Sequence, residues 1–379
     1  MSGLHQSSPN HALRIAYVIN SLEGGGAASP VPAIFKALEA QGATLRLLAL
    51  TRRNGLALPP IEQAGIDVRI REGGTRDHLA ALRWTVRQVR DFEATHIWTS
   101  LSRATLLGQL CGTMLQRPVI SWQHNAYLKP WNERLLRWGR NRSDLWIADS
   151  SEVARLTRER LRVPAERLVT WPIFSANPDA LQARAWQPGE TLQLGSLGRL
   201  HPAKGYDILI DALAILRRNG FAPPVPFALR IAGDGPERDA LLARASAAGV
   251  EPPALIGFQA RPDAFLASCH LYLQPSRREG FCIAAHEAMQ AGLPVLGTRT
   301  GEMPYTIEER ISGRLVDPQD AQGLAQALAD LMGAPAALGT MGEAARSRVL
   351  ERFSQAHFRN VAAEIVATAR AMKRGGDKH

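Results

Sequence analysis

The chain has 379 residues, 45% hydrophobic and 21% charged, a length that exceeds one ordinary core and suits two globular domains. No apolar run reaches the roughly 20 residues of a membrane span, and the polar stretch Met1 to Asn10 lacks a signal-peptide core, so a cytoplasmic protein is expected. Three cysteines without metal-like spacing (Cys111, Cys269, Cys282) argue against a disulfide framework or a zinc site. The net charge of +10 is spread along the chain and comes without a recognition helix or an aromatic RNA-binding signature. Attraction to anionic substrates or to an anionic membrane face explains it at least as well as nucleic acid does.

Leu13 to Ile19 reads as an apolar strand, and the triple glycine of Gly24, Gly25 and Gly26 follows it directly. Glycines there let the backbone turn tightly and approach a ligand. The next helix is expected to be capped by Ser29 with Pro30 at its first position, packing Val31, Ile34, Phe35 and Leu38. Gly42 stops it, and Thr44 to Leu50 is the second strand. This is a Rossmann-type opening without the G-x-G-x-x-G fingerprint. Strands over 66–70, 96–99 and 118–123 then alternate with helices over 79–92 and 106–115. Such alternation means a parallel, doubly wound sheet with ligands at the carboxyl ends of its strands, where His124 falls. Residues 131–142 mix tryptophan, leucine and arginine. They read either as a domain helix with solvated arginines or as an interfacial helix contacting an anionic membrane. Asp144 to Ser150 is the following strand and turn.

Prolines and glycine between Pro172 and Gly189 mark an interdomain linker. The expected division is a first domain over 1–175, a linker over 176–189 and a second domain over 190–353. Alternation restarts with the glycine-rich strand Leu192 to Gly198, followed by Arg199 and by Lys204-Gly205. An arginine and a lysine at one strand end can clamp a diphosphate and stabilise a departing nucleotide's charge. Arg230 to Glu237 and Leu255 to Phe258 are later strand ends.

Leu271 to Ser276 is a buried strand ended by a proline, and the helix beyond it stops at Gly292. The helix start between them aims free N–H groups and a positive dipole end outward, which suits a phosphate. Glu279 in the loop and Glu287 on the helix flank the turn, and carboxylates beside a phosphate are good acceptors for sugar hydroxyls. The residues describe a site for a ligand with both phosphate and polyol.

Glu279, Gly280, Phe281 and Glu287, together with the Gly198-Arg199 to Lys204-Gly205 spacing, resemble the motifs of retaining glycosyltransferases of family 4 (glycosyl transferases group 1). The resemblance extends over most of the chain and implies the GT-B fold: two Rossmann-like, doubly wound parallel-sheet domains facing each other across a cleft. It also implies that the final helix, read over Phe353 to Met372 within a segment of about 354–379, crosses back onto the first domain. The donor would be a nucleotide-diphosphate sugar, UDP before GDP by family frequency. Arg199 and Lys204 would hold its diphosphate, with Gly25 and Gly26 lying against it. Glu287 would hold the ribose, Phe258 would mark base recognition through backbone groups, and Glu279 with the backbone of Gly280, Phe281 and Cys282 would hold the transferred sugar. His124 would contact that sugar. The acceptor would be a glycan or a lipid-linked sugar of cell-surface polysaccharide, lipopolysaccharide or glycolipid assembly, placing the protein on the inner face of the membrane.

No Asp-x-Asp triplet occurs, so cations and a helix terminus, not a metal or any cofactor, would carry the diphosphate. No nucleophile stands out, and the resemblance implies retention by same-face attack. The chain departs from the family where Gly301-Glu302 and Tyr305 replace the usual Gly-Gly and following Glu. Alternatives are another GT-B enzyme, such as an epimerase or phosphorylase, and a non-catalytic nucleotide-sugar-binding protein.

Overall fold

The computed structural model describes residues 12–23, 26–124 and 127–372. They divide into two compact units. One holds the residues up to Asp149, Val153–Trp171 and the chain from Phe358; the other holds Ser150–Glu152 and Pro172–His357.

In the first unit the order is β1 (Leu13–Ile19), α1 (Val31–Glu39), β2 (Ala43–Ala49), α2 (Leu58–Gln63), β3 (Val68–Ile70), α3 (His78–Asp91) and β4 (His96–Ser100). It continues with α4 (Ser102–Leu115), β5 (Val119–Gln123), α5 (Pro130–Gly139), β6 (Leu145–Ala148), α6 (Ser151–Leu161) and β7 (Leu168–Thr170). The seven strands form one parallel sheet in the order β3-β2-β1-β4-β5-β6-β7. One face packs Val18, Ile97 and Val119 under α3 and α4. The other carries a row of buried rings: Tyr17 stacks on Trp98 at 5.9 Å, and Trp122 stacks on Trp171 at 4.9 Å. Helix α1 begins at Val31 with Pro30 in helical geometry at the cap position and no side-chain cap, in place of the expected Ser29 cap. Pro32 is tolerated because first-turn N–H groups have no helical partner in any case. Strand β3 starts two residues later than its apolar residues suggested.

The second unit runs β8 (Leu192–Leu197), α7 (Tyr206–Arg218), β9 (Phe227–Ala232), α8 (Arg238–Ala247), β10 (Ala254–Leu255), α9 (Pro262–Ala267) and β11 (Leu271–Gln274). It ends with α10 (Ile283–Gln290), β12 (Val295–Thr298), α11 (Met303–Thr306), β13 (Gly313–Val316), α12 (Ala321–Gly333) and α13 (Leu338–Arg352). Its six strands are parallel in the order β10-β9-β8-β11-β12-β13. Leu194, Leu209, Leu273, Leu296 and Leu328 form its main core.

One sequence expectation changes. Residues 176–189 are not a free linker: Asn177 N–H donates to Gln290 Oε1 at 2.6 Å, Ala183 N–H to Ala291 O at 2.7 Å, and Trp186 packs on the second unit's core. The large apolar area of Trp186 anchors the segment on that core. The final helix falls within two residues of where it was read. After α13 the backbone breaks at Phe353, whose ring is buried, and α14 (Gln355–Ala371) follows. Phe358 of α14 lies 4.9 Å from Trp171, and Ala369 O meets His96 Nε2 at 2.9 Å, so α14 packs on the first sheet.

Candidate functional site

In the second unit, chemistry gathers at the carboxyl ends of β8 and β11. Lys204 ends a short 3₁₀ turn after β8, and its ammonium lies 2.7 Å from Glu279 Oε1. The approach depends on Gly205, which has φ +68° and closes on the loop after β11: a Cβ there would stand 2.0 Å from Pro275 O. Arg277 ties the same two loops, donating to Pro202 O at 2.7 Å and pairing with Asp207 at 2.6 Å. Burial works to lower the pKa of Lys204, but the Glu279 carboxylate outweighs it and holds the ammonium above the ordinary lysine range. Glu279 also accepts from Ser276 Oγ at 2.6 Å and from Gln274 Nε2 at 3.1 Å.

After Glu279 the chain enters α10 through Cys282, in the left-handed region at φ +73°. Among the described residues, the N–H groups of Gly280, Phe281 and Cys282 donate to nothing in the chain, so three consecutive donors precede the helix's positive end. The carbonyl sides of the same residues are engaged: Gly280 O accepts from Ser150 Oγ at 2.9 Å, Phe281 O from Glu302 N–H at 3.3 Å and Cys282 O from His286 Nδ1–H at 2.8 Å. The Phe281 ring points away from this polar edge into a buried cluster with His286 (4.3 Å), Phe353 (5.2 Å) and Phe174 (6.0 Å). Only its backbone is available to a ligand. Burial pushes the Cys282 thiol far up, so it stays protonated and is no nucleophile.

Glu287 is partly buried on α10. Burial, with Asp263 adding to it, raises its carboxyl above the usual range. Arg199 is exposed and, among the described residues, pairs with no carboxylate. Phe258 is exposed, and its N–H is taken by Asp234 Oδ2 at 2.8 Å. Gly301, at φ +59°, lets its loop lie against the site, for a Cβ would meet Gly280 O at 2.8 Å and Glu279 Cβ at 2.9 Å. Glu302, flagged in the sequence only as a departure, is 2% exposed and structural. It accepts from Ser151 N–H at 2.6 Å and pairs with Arg352 at 2.5 Å.

In the first unit, His124 follows β5, and Asp149 follows β6. The pairing of Gln123 with Ala148 sets the two side by side, with Asp149 Oδ2 3.4 Å from His124 Nδ1. Ser100 Oγ bonds the other nitrogen, Nε2, and the ring stacks on Trp122 at 5.2 Å. Ser100, His124 and Asp149 thus form a buried row over the carboxyl ends of β4, β5 and β6. Gly26 is exposed in the turn after β1, whereas Gly25 lies outside the described residues. On α5, Leu136 is buried, while Trp131 (70% exposed), Leu135 and Trp138 (72%) form an outward stripe at i, i+4 and i+7. Arg142 lies over the Trp138 ring at 4.2 Å, and neighbouring α4 exposes Leu110 and Met114. Among the described residues, no helix is long and apolar enough to cross a membrane.

Residues 181–348 match the family described as glycosyl transferases group 1, and residues 24–174 match glycosyltransferase family 4. D-inositol 3-phosphate glycosyltransferase of Segniliparus rotundus is 32% identical over 184 residues, covering 48% of this chain and 40% of that protein. A GDP-mannose-dependent alpha-(1-6)-phosphatidylinositol monomannoside mannosyltransferase of Mycolicibacterium smegmatis is 34% identical over 194 residues, 48% of this chain and 49% of its own. The chain therefore matches less than half the length of these curated relatives. Among solved structures, Anabaena HepE in complex with UDP and glucose has a TM-score of 0.80 at 22% identity, covering 94% of this chain and 100% of that one. Sucrose-phosphate synthase from Thermosynechococcus elongatus has a TM-score of 0.77 at 18% identity, covering 94% and 99%.

Proposed function

The chain belongs to the family 4 glycosyltransferases of GT-B fold, and from that premise we propose that it is a retaining hexosyltransferase. Its donor is a nucleotide-diphosphate sugar, a UDP-sugar before a GDP-sugar, and its acceptor is a glycan or lipid-linked sugar of cell-surface polysaccharide or glycolipid assembly. The observation that carries the reading is the edge of the second sheet. There a lysine-pinned carboxylate, three amides unpaired among the described residues and a helix start stand together. That set suits a sugar's hydroxyls on one side and phosphate oxygens on the other. The UDP and glucose held by HepE, and the GDP-mannose dependence named for the mycobacterial relative, support the donor class and leave both bases in play.

In this reading Arg199 and Lys204 hold the diphosphate without a metal, Glu287 holds the ribose, and Phe258 lies at the base. Glu279 and the amides of Gly280, Phe281 and Cys282 hold the transferred sugar. The bond from the sugar's anomeric carbon to the diphosphate oxygen breaks. A bond to the acceptor oxygen forms on the same face, and the acceptor's proton passes to the departing phosphate. The cations and helix start stabilise the charge left on that phosphate. The outward Trp131, Leu135, Trp138 stripe with its arginines contacts an anionic membrane, where a lipid-linked acceptor is found.

The test is proton NMR of the protein with UDP-glucose, UDP-galactose and GDP-mannose in turn. Consumption of one donor, with the released sugar first appearing as the donor's own anomer, is the expected result. First appearance of the opposite anomer would overturn retention, and no consumption of any donor would count against the transferase reading.

A further inference from the structure

Strand β11 and the turn after it place Tyr272, Gln274 and Ser276 at alternate positions, and all three are fully buried. A buried primary amide is unfavourable unless its groups are bonded, and here every one is. Gln274 Nε2 donates one hydrogen to Ser276 Oγ at 2.8 Å and the other to Glu279 Oε1 at 3.1 Å, while Gln274 Oε1, at 2.9 Å, and Leu197 O, at 3.1 Å, share the one Tyr272 hydroxyl proton. The Tyr272 oxygen accepts in turn from Leu197 N–H at 3.1 Å. Ser276 gives its proton to Glu279 Oε1 at 2.6 Å, and its carbonyl is held by Thr298 Oγ1 at 2.6 Å. Adding Lys204 Nζ at 2.7 Å, Glu279 Oε1 receives three donors. Oε2 receives none among the described residues.

We propose that Gln274 and Ser276 are positioning residues for Glu279: they saturate one carboxylate oxygen and so turn the other, Oε2, outward as the acceptor for a hydroxyl of the transferred sugar. The inference rests on the reading that Glu279 holds that sugar. Lys204 alone, on a flexible four-carbon stem, fixes distance but not rotation about the carboxylate. Two rigidly held neutral donors on the same oxygen fix the rotation. Both residues are fully buried and act only through Glu279.

The test compares Ser276→Ala, Ser276→Thr, Gln274→Leu and Gln274→Glu with the parent protein, using UDP-glucose turnover, UDP affinity by calorimetry and the pH profile of turnover. Ser276→Ala and Gln274→Leu should each lower turnover roughly ten- to hundred-fold, with UDP affinity changed less than about three-fold, and Ser276→Thr should restore most of the loss. Gln274→Glu sets a second carboxylate beside Glu279 Oε1. Two carboxylates so close share a proton, so the acid limb of the profile should move to higher pH, which loss of packing alone would not do. Variants that keep parental turnover and an unmoved acid limb overturn the inference while leaving the donor reading intact. A parent protein that neither binds UDP nor consumes UDP-glucose overturns the donor reading, and this inference with it.

Discussion

Lys204 Nζ and Glu279 Oε1 stand 2.7 Å apart, although 75 residues separate them in the chain. The pair joins the loop after β8 to the turn after β11 and leaves the lysine charged throughout the physiological range. Lys204→Ala should weaken UDP binding about ten-fold through the lost cation. Glu279→Gln keeps the shape but removes the charge, and should lower turnover by about a hundred-fold or more with little change in UDP affinity. Calorimetry and steady-state rates on both variants check this, and equal loss of both quantities in Glu279→Gln would contradict its role at the sugar.

Gly205→Ala should destabilise the second unit by about 2–4 kcal/mol, because the position combines a positive φ with a Cβ clash against Pro275 O. Denaturant unfolding measures the loss. The surviving folded protein should also bind UDP more weakly, since moving the 202–205 turn moves Lys204.

His286 is buried, donates Nδ1–H to Cys282 O and takes the Thr306 hydroxyl on Nε2. Burial pushes its pKa down from 6.5 to about 4. Between those values an unfolded chain binds the proton and the folded one does not, so stability should fall as pH falls from about 6.5 to about 4. The loss should be on the order of 2–3 kcal/mol. Thermal unfolding at stepped pH should show this slope in the parent protein and a flatter one in His286→Gln; parallel curves would contradict the assignment.

The alternating strands and helices and the Glu279 turn were legible because apolar runs bounded by glycine and proline carry their own periodicity. Partners across the fold were not. Gln274 and Ser276 look in sequence like the end of a buried strand, and only the fold brings them to Glu279. Asp149 meets His124 through a strand register that no local pattern encodes. Glu302 finds Ser151 and Arg352 at separations of 151 and 50 residues. The 176–189 segment misled because its prolines are visible locally and the docking of Trp186 is not.

Trp131→Ala with Trp138→Ala removes the two most exposed rings of the α5 stripe while leaving buried Leu136 in place. In co-sedimentation, the parent protein should bind phosphatidylglycerol vesicles and the double variant at least about ten-fold less, with UDP affinity unchanged. Equal sedimentation of the two proteins would remove α5 as a membrane contact.

The most direct measurement is a thermal-shift titration of the parent protein with UDP, GDP and ADP and their glucose or mannose conjugates. A ligand at about 100 times its dissociation constant stabilises by about 2.7 kcal/mol. The expected result is a saturable upward shift with one base, UDP before GDP, that shrinks in Lys204→Ala. No shift with any nucleotide, or an equal shift in Lys204→Ala, would contradict a donor site built on Lys204 and Glu279.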